Sequence, residues 1–162
     1  MAANGQPNEE AKSKLNADIA RYTNERKVIQ DRVKELTEMF RDIHDLAIQQ
    51  HELYGYRQDL VSKKQEVMSY SNIMNRTANN QRRMTHDSYK TGKPVNAAAQ
   101  MQPKNDFERE LYLKDDMRNV EIHLKIVADF LEFILDSIKT IDNMIYGVDY
   151  AIKLQAFVTP VK

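Results

Sequence analysis

The stretch "LKIVADFLEFILDSI", residues 124 to 138, decides how this chain is read. Leu124, Val127, Leu131, Ile134 and Ile138 recur in steps of three and four, which places them on one face of an α-helix. Ile126, Phe130, Phe133 and Leu135 add apolar surface on other faces. A helix apolar on several faces has to be enclosed by several neighbours. The rest of the chain offers few separate elements, so the sequence predicts that those neighbours belong to other subunits. Leu124, Phe130, Leu131, Phe133, Ile134 and Ile138 are the expected oligomerisation residues.

The same helical pattern extends both ways, from about Asp106 to Gln155. Phe107, Leu111, Met117 and Val120 lead into the central stretch, and Ile141, Ile145, Val148 and Ile152 follow it. Asn105 suits an N-cap, with Glu108 as its capping-box partner. Gly147, in "MIYGVDY", marks a kink or a break before a last short helix.

Upstream, heptads begin at Leu15. Leu15, Ile19, Tyr22, Ile29, Val33, Leu36, Phe40 and Ile43 alternate in steps of three and four, with Arg26 filling one core slot. After Ile43 the phase slips. Leu46, Leu53, Leu60, Val67 and Met74 then recur every seven residues. Gly55 suggests a bend, and the Asn-, Thr- and Ser-rich stretch from Asn72 to Gln81 suggests a weak or fraying helix. The expected organisation is a flexible tail over 1–11 and an N-terminal helical, coiled-coil region with a basic end over 12–90. A loop follows over 91–104, carrying Gly92, Pro94 and Pro103, and then a C-terminal helical oligomerisation region over 105–162. The fold class is all-α: a long N-terminal coiled-coil helix, a basic loop, and a C-terminal long helix or helical hairpin forming an oligomeric, ring-like bundle.

Composition agrees with a helical chain. Of 162 residues, only four are Gly and four Pro, and 30% are charged. With no Cys, disulfides and thiolate metal sites are excluded. The N-terminal "MAANGQPNEEAKSK" lacks the apolar core of an export signal, and no run of 18 apolar residues occurs. The expected compartment is a cytoplasm, with no membrane association.

The 24 basic and 24 acidic residues balance overall but not locally. Between residues 76 and 104, Arg76, Arg82, Arg83, Lys90, Lys93 and Lys104 face only Asp87, a net charge of +5. Residues 1–75 carry 11 basic against 12 acidic side chains, and residues 105–162 carry 7 against 11. A basic segment between neutral and acidic ends can bind a polyanion.

Within it, "SYKTGKP", residues 88 to 94, pairs a glycine with a lysine as a phosphate loop does. A Walker A loop needs another glycine five residues before Gly92 and a hydroxyl residue after the lysine. Asp87 and Pro94 stand there instead, so nucleotide hydrolysis is not read. His44, His51, His86 and His123 form no i, i+4 pair, and no HExxH occurs, so no metal or other cofactor is expected. "DDMR" and "DNMIYGVD" read as solvated helix faces. No nucleophile–base arrangement appears, and the chain reads as a non-enzyme.

The basic segment reads better as a strand-binding surface. Single-stranded nucleic acid binders combine cations that track the backbone with aromatic faces on which bases stack. Arg82, Arg83, Lys90 and Lys93, with Tyr89 among them, are the candidate DNA-binding residues; Tyr70 and His86 could contribute. The bland alternative is a set of cations that only keeps a loop soluble. An oligomer favours the binding reading, because every copy would present the same charge on the same side.

Two stretches carry a resemblance to a known family. "SYKTGK" is similar to a tyrosine-rich turn with a Ser/Thr-Gly pair and a following basic residue. "DDMRNVEIHLKIVADFLEFILDSIKTIDNMIYGVDYAIKLQAF", Asp115 to Phe157, is similar in its acidic-basic opening, its Leu131–Glu132–Phe133 step and its closing "AIKLQAF". In order and separation they resemble the phage T4-type recombination mediators (the UvsY family), over roughly residues 82 to 157. In that family the DNA-contacting Lys and Arg lie on the helix just before the tyrosine turn. Here Arg82 and Arg83 fall in that region, offset by about a turn, and His86 lies nearer the matching place. The N-terminal heptads look longer than the family's. The resemblance implies a non-enzymatic, ring-forming homo-oligomer in the host cytoplasm, acting in DNA recombination and repair. Its implied partners are single-stranded DNA, a phage recombinase and a phage single-strand-binding protein. The rival expectation is a coiled-coil structural or assembly protein of a phage virion, such as a neck or tail component or a chaperone.

Overall fold

A computed structural model of the chain describes residues 6–39, 45–91, 103 and 105–158. Three α-helices account for nearly all of them: α1 Gln6–Met39, α2 Leu46–Thr91 and α3 Asp106–Val158. There is no strand among the described residues, so the chain is all-α. No described helix is long and apolar enough to cross a membrane.

The N-terminal region is two helices, not one. α1 ends at Met39 and α2 begins at Leu46, around the place where the heptad phase slips. The Gln49 side chain, almost fully buried, donates from Nε2 to the Met39 carbonyl at 2.7 Å. It thereby satisfies one of the carbonyls that the end of a helix leaves without an intrahelical partner. α1 begins at Gln6, inside the stretch expected to be a tail. α2 runs unbroken through Gly55, and α3 through Gly147, where the sequence suggests bends. Phe40 and Ile43 lie outside the described residues, as does the expected 91–104 loop except for Thr91, which is helical, and Pro103.

The chain divides into two compact units, each holding a stretch of all three helices. Unit 1 is Met1–Arg21 with Ser69–Ala128, and unit 2 is Tyr22–Met68 with Asp129–Lys162. In unit 2 the pairs Lys63–Glu25 and Arg32–Glu52 set α2 antiparallel to α1. Arg57–Asp142 and Gln50–Asp149 set it antiparallel to α3. The core is built by one residue in every seven: Tyr22, Ile29 and Leu36 from α1, and Leu46, Leu53, Leu60 and Val67 from α2. α3 contributes Phe130, Ile134, Ile138, Ile141, Ile145 and Val148. Tyr22 stacks on Phe130 with ring centroids 4.5 Å apart. Arg26, the charged residue in a core slot, lies 5.2 Å over the Phe133 ring, so its cation is held by an aromatic face at the edge of the core.

These contacts correct the argument from residues 124–138. Phe130 and Ile134 are fully buried and Ile138 nearly so, within the chain's own bundle. Leu124, Leu131 and Phe133 are half-buried. Enclosing α3 therefore does not require other subunits: α1, ending at Met39, and α2, beginning at Leu46, are two helices where the sequence reading counted one.

In unit 1 the Asp18 carboxylate of α1 joins the three helices. Its Oδ2 accepts from the Tyr70 hydroxyl of α2 at 2.7 Å and meets His123 Nε2 of α3 at 2.6 Å. The His123 and Asp18 side chains are only 13% and 17% exposed. The Asn105 N-cap of α3 is as the sequence reads it. The Glu108 amide donates to Asn105 Oδ1 at 2.8 Å and the Arg109 amide to the Asn105 carbonyl at 3.1 Å.

Candidate nucleic-acid interface

The basic end of α2 survives as helix despite its Asn, Thr and Ser content. Such residues weaken helices when their side chains bond the backbone in non-helical geometries. Here they bond the helix itself. Asn75 Nδ2 donates to the Ser71 carbonyl at 2.9 Å, Thr77 Oγ1 to Ile73 at 3.0 Å and Thr91 Oγ1 to Asp87 at 2.8 Å. Ala78 and Ser88 are buried on the inner face and hold the segment against its neighbours. Lys90 sits in the last turn, where a cation suits the negative end of the helix dipole.

Helical phase then sorts the candidate residues into two rows. Arg82 and Tyr89, seven residues apart, turn towards α3. Arg82 Nη2 donates to Glu121 Oε1 at 2.7 Å. Both side chains are about half exposed, so the pair is worth at most about 1 kcal/mol after solvent screening. The Tyr89 hydroxyl donates to Asp116 Oδ2, and its ring centroid lies 6.2 Å from that of Tyr112. Burial first, and then the bond to Asp116, push the Tyr89 phenol well above its usual pKa. Tyr70 is held by Asp18 and packs edge-on to His123, with ring centroids 6.4 Å apart. Both hydroxyls are thus held by carboxylates of other helices.

Arg83 and Lys90 lie on the outward row, and Arg76 precedes them at the same seven-residue interval. All three are exposed, and none makes an ion pair or side-chain hydrogen bond among the described residues. Asn72, Asn79 and Asn80 flank the row, equally exposed and without side-chain hydrogen bonds among the described residues. The one acid nearby, Asp87, lies 3.7 Å from His86. Lys93 lies outside the described residues. The structure thus brings together Arg83 and Lys90 and separates them from Arg82 and Tyr89. Arg76 was missed as a site residue, although its spacing to Arg83 and Lys90 is visible in the sequence.

Among the described residues no group of three or more His, Asp or Glu side chains could hold a metal ion. Comparison with protein-family models, with curated proteins and with solved structures returns no match to this chain.

Proposed function

We propose that the chain is a non-enzymatic recombination mediator of the phage T4 type. It binds single-stranded DNA and helps a recombinase take the place of a single-strand-binding protein. The observation that carries this reading is the outward row of unpaired cations at the end of α2, leading into a segment whose sequence adds Lys93 and Lys104. The order and separation of the motifs at residues 88–93 and 115–157 support it. Strand phosphates would pair with the cations, and release of counterions would make affinity fall steeply with salt.

A homo-oligomer belongs to the same reading; of the six expected contact residues, Phe130, Ile134 and Ile138 are buried in the chain's own core, while Leu124, Leu131 and Phe133 are only half-buried. Tyr146, Tyr150, Leu154 and Phe157 form an exposed apolar row on α3, with Phe157 88% exposed. Their spacing is nearly palindromic. In an antiparallel pair of α3 helices about a two-fold axis, Tyr146 would meet Phe157 and Tyr150 would meet Leu154, a self-complementary contact.

A salt titration of fluorescent oligo-dT binding tests the function. Replacing Arg82, Arg83, Lys90 and Lys93 together by Ala abolishes binding and leaves the particle mass unchanged. With wild-type binding in hand, mediation is read as faster assembly of a recombinase on strand precoated with its single-strand-binding protein. The exposed apolar row would equally suit a structural or assembly protein of a virion. That second reading stands if wild-type protein leaves oligo-dT unbound at about 50 mM salt, where several phosphate contacts would give measurable affinity.

A further inference from the structure

Resting on the strand-binding reading above, we propose that Arg76, Arg83 and Lys90, with Asn72, Asn79 and Asn80 beside them, form a track along α2 that holds the sugar–phosphate backbone without base stacking. The cations stand one every seven residues, about 10.5 Å apart along the axis at roughly 1.5 Å per residue. From Arg76 to Lys90 the row therefore covers about 21 Å. At about 3.4 Å per stacked nucleotide that is the length of roughly six nucleotides, fewer if the strand is extended.

Chemistry limits what this face can read. Guanidinium, ammonium and amide groups suit phosphate oxygens, and such contacts position a strand without selecting its sequence. Stacking would need an aromatic face beside the row. The tyrosines closest in sequence, Tyr70 and Tyr89, have their hydroxyls tied to Asp18 and Asp116 on other helices, and the exposed His86 ring lies 3.7 Å from Asp87. Arg82 is tied to Glu121. The track therefore holds a strand chiefly through its phosphates, and Arg76, not Arg82, is the third phosphate cation of the described helix.

The test uses the full chain and two labelled probes: oligo-dT of twenty nucleotides, and a base-free deoxyribose-phosphate strand of the same length. Fluorescence anisotropy is followed across a salt series. The two strands should bind within about twofold of each other, since bases add nothing to a contact made to phosphates. The three track contacts contribute about 2 to the log–log salt slope, at about 0.7 per phosphate on a single strand. Arg76→Ala, an exposed change to a better helix former, should lower that slope by about 0.7, and Arg82→Ala should leave it unchanged. Base-free strand binding about tenfold or more weaker, which would reveal stacking, overturns the proposal. So does an Arg76→Ala protein indistinguishable from wild type. If poly-glutamate competes as well as oligo-dT, the row is a surface for acidic partners and the strand assignment falls. Wild-type protein that binds neither strand overturns the strand-binding reading itself, a different failure from a normal Arg76→Ala titration.

Discussion

At the residue scale, the polar contacts divide by whether their partners are close in the chain. Asn105 could be read in advance because the amide it caps lies three residues away. Asn105→Ala should lower stability by about 1 kcal/mol in urea denaturation, the ordinary effect of losing an N-cap. Asp18 gave no such sign. Its partners lie 52 and 105 residues away, and a lone Asp in an amphipathic pattern reads as a solvated charge. Asp18→Ala removes the acceptor shared by Tyr70 and His123 and should destabilise by about 2–3 kcal/mol, against about 1 for Tyr70→Phe. Tyrosine burial sets the alkaline limit. Burial pushes the Tyr56 phenol up to about 12, and Tyr89 moves in the same direction. A folded-state pKa above the unfolded value means that the native state holds the proton longer. This contribution is whole below pH 10 and is lost as pH rises from 10 towards 12. Equilibrium unfolding between pH 9 and 11.5 should show stability falling, and Tyr56→Phe should flatten part of that fall.

At the element scale, the spacing of apolar residues marked each helix but not how many neighbours each would find. Leu46, Leu53, Leu60 and Val67 were legible as a seven-residue repeat, and all four are core. The breadth of α3 was legible too, and its meaning was misjudged. With residues 12–90 read as one helical region, α3 had a single intrachain neighbour and its extra faces were assigned to other subunits. The phase slip after Ile43 was visible, but a slip alone does not distinguish a bent helix from two helices. Phe107 and Leu111 show the converse error. They keep helical spacing yet are exposed, since periodicity places a residue on a face without saying whether that face is covered. The basic end of α2 follows the same rule: spacing could separate the row of Arg76, Arg83 and Lys90 from that of Arg82 and Tyr89, but not say which row meets α3. Phe130 is the sharpest test of the core. It is fully buried and stacks on Tyr22, so Phe130→Ala should lower stability by about 3–5 kcal/mol. A value near that of an exposed site would mean that α1 and α2 do not enclose α3 in solution.

At the scale of the whole molecule, the question is whether one chain is the working particle. Large contiguous apolar surface is uncommon on soluble monomers and marks sites of association. Tyr146, Tyr150, Leu154 and Phe157 put four exposed apolar side chains at helical spacing along the last turns of α3. Multi-angle light scattering at micromolar concentration should therefore return a multiple of the 18.9 kDa chain mass. Two substitutions separate assembly from folding. Phe130→Asp puts a charge into a fully buried site and should unfold the chain, whatever its oligomeric state. Tyr150→Asp changes a residue that is 58% exposed in the single chain, so helical content and urea midpoint measured on the isolated chain should change little. In the oligomer the same side chain would lie in an apolar contact, where an unpaired carboxylate is expensive, and the mass should fall to that of one chain. Dissociation with retained helicity assigns the contact to this row. An oligomer that tolerates Tyr150→Asp and Phe157→Asp together would place the contact elsewhere, and a wild-type particle of 18.9 kDa would remove the oligomer from the proposal altogether.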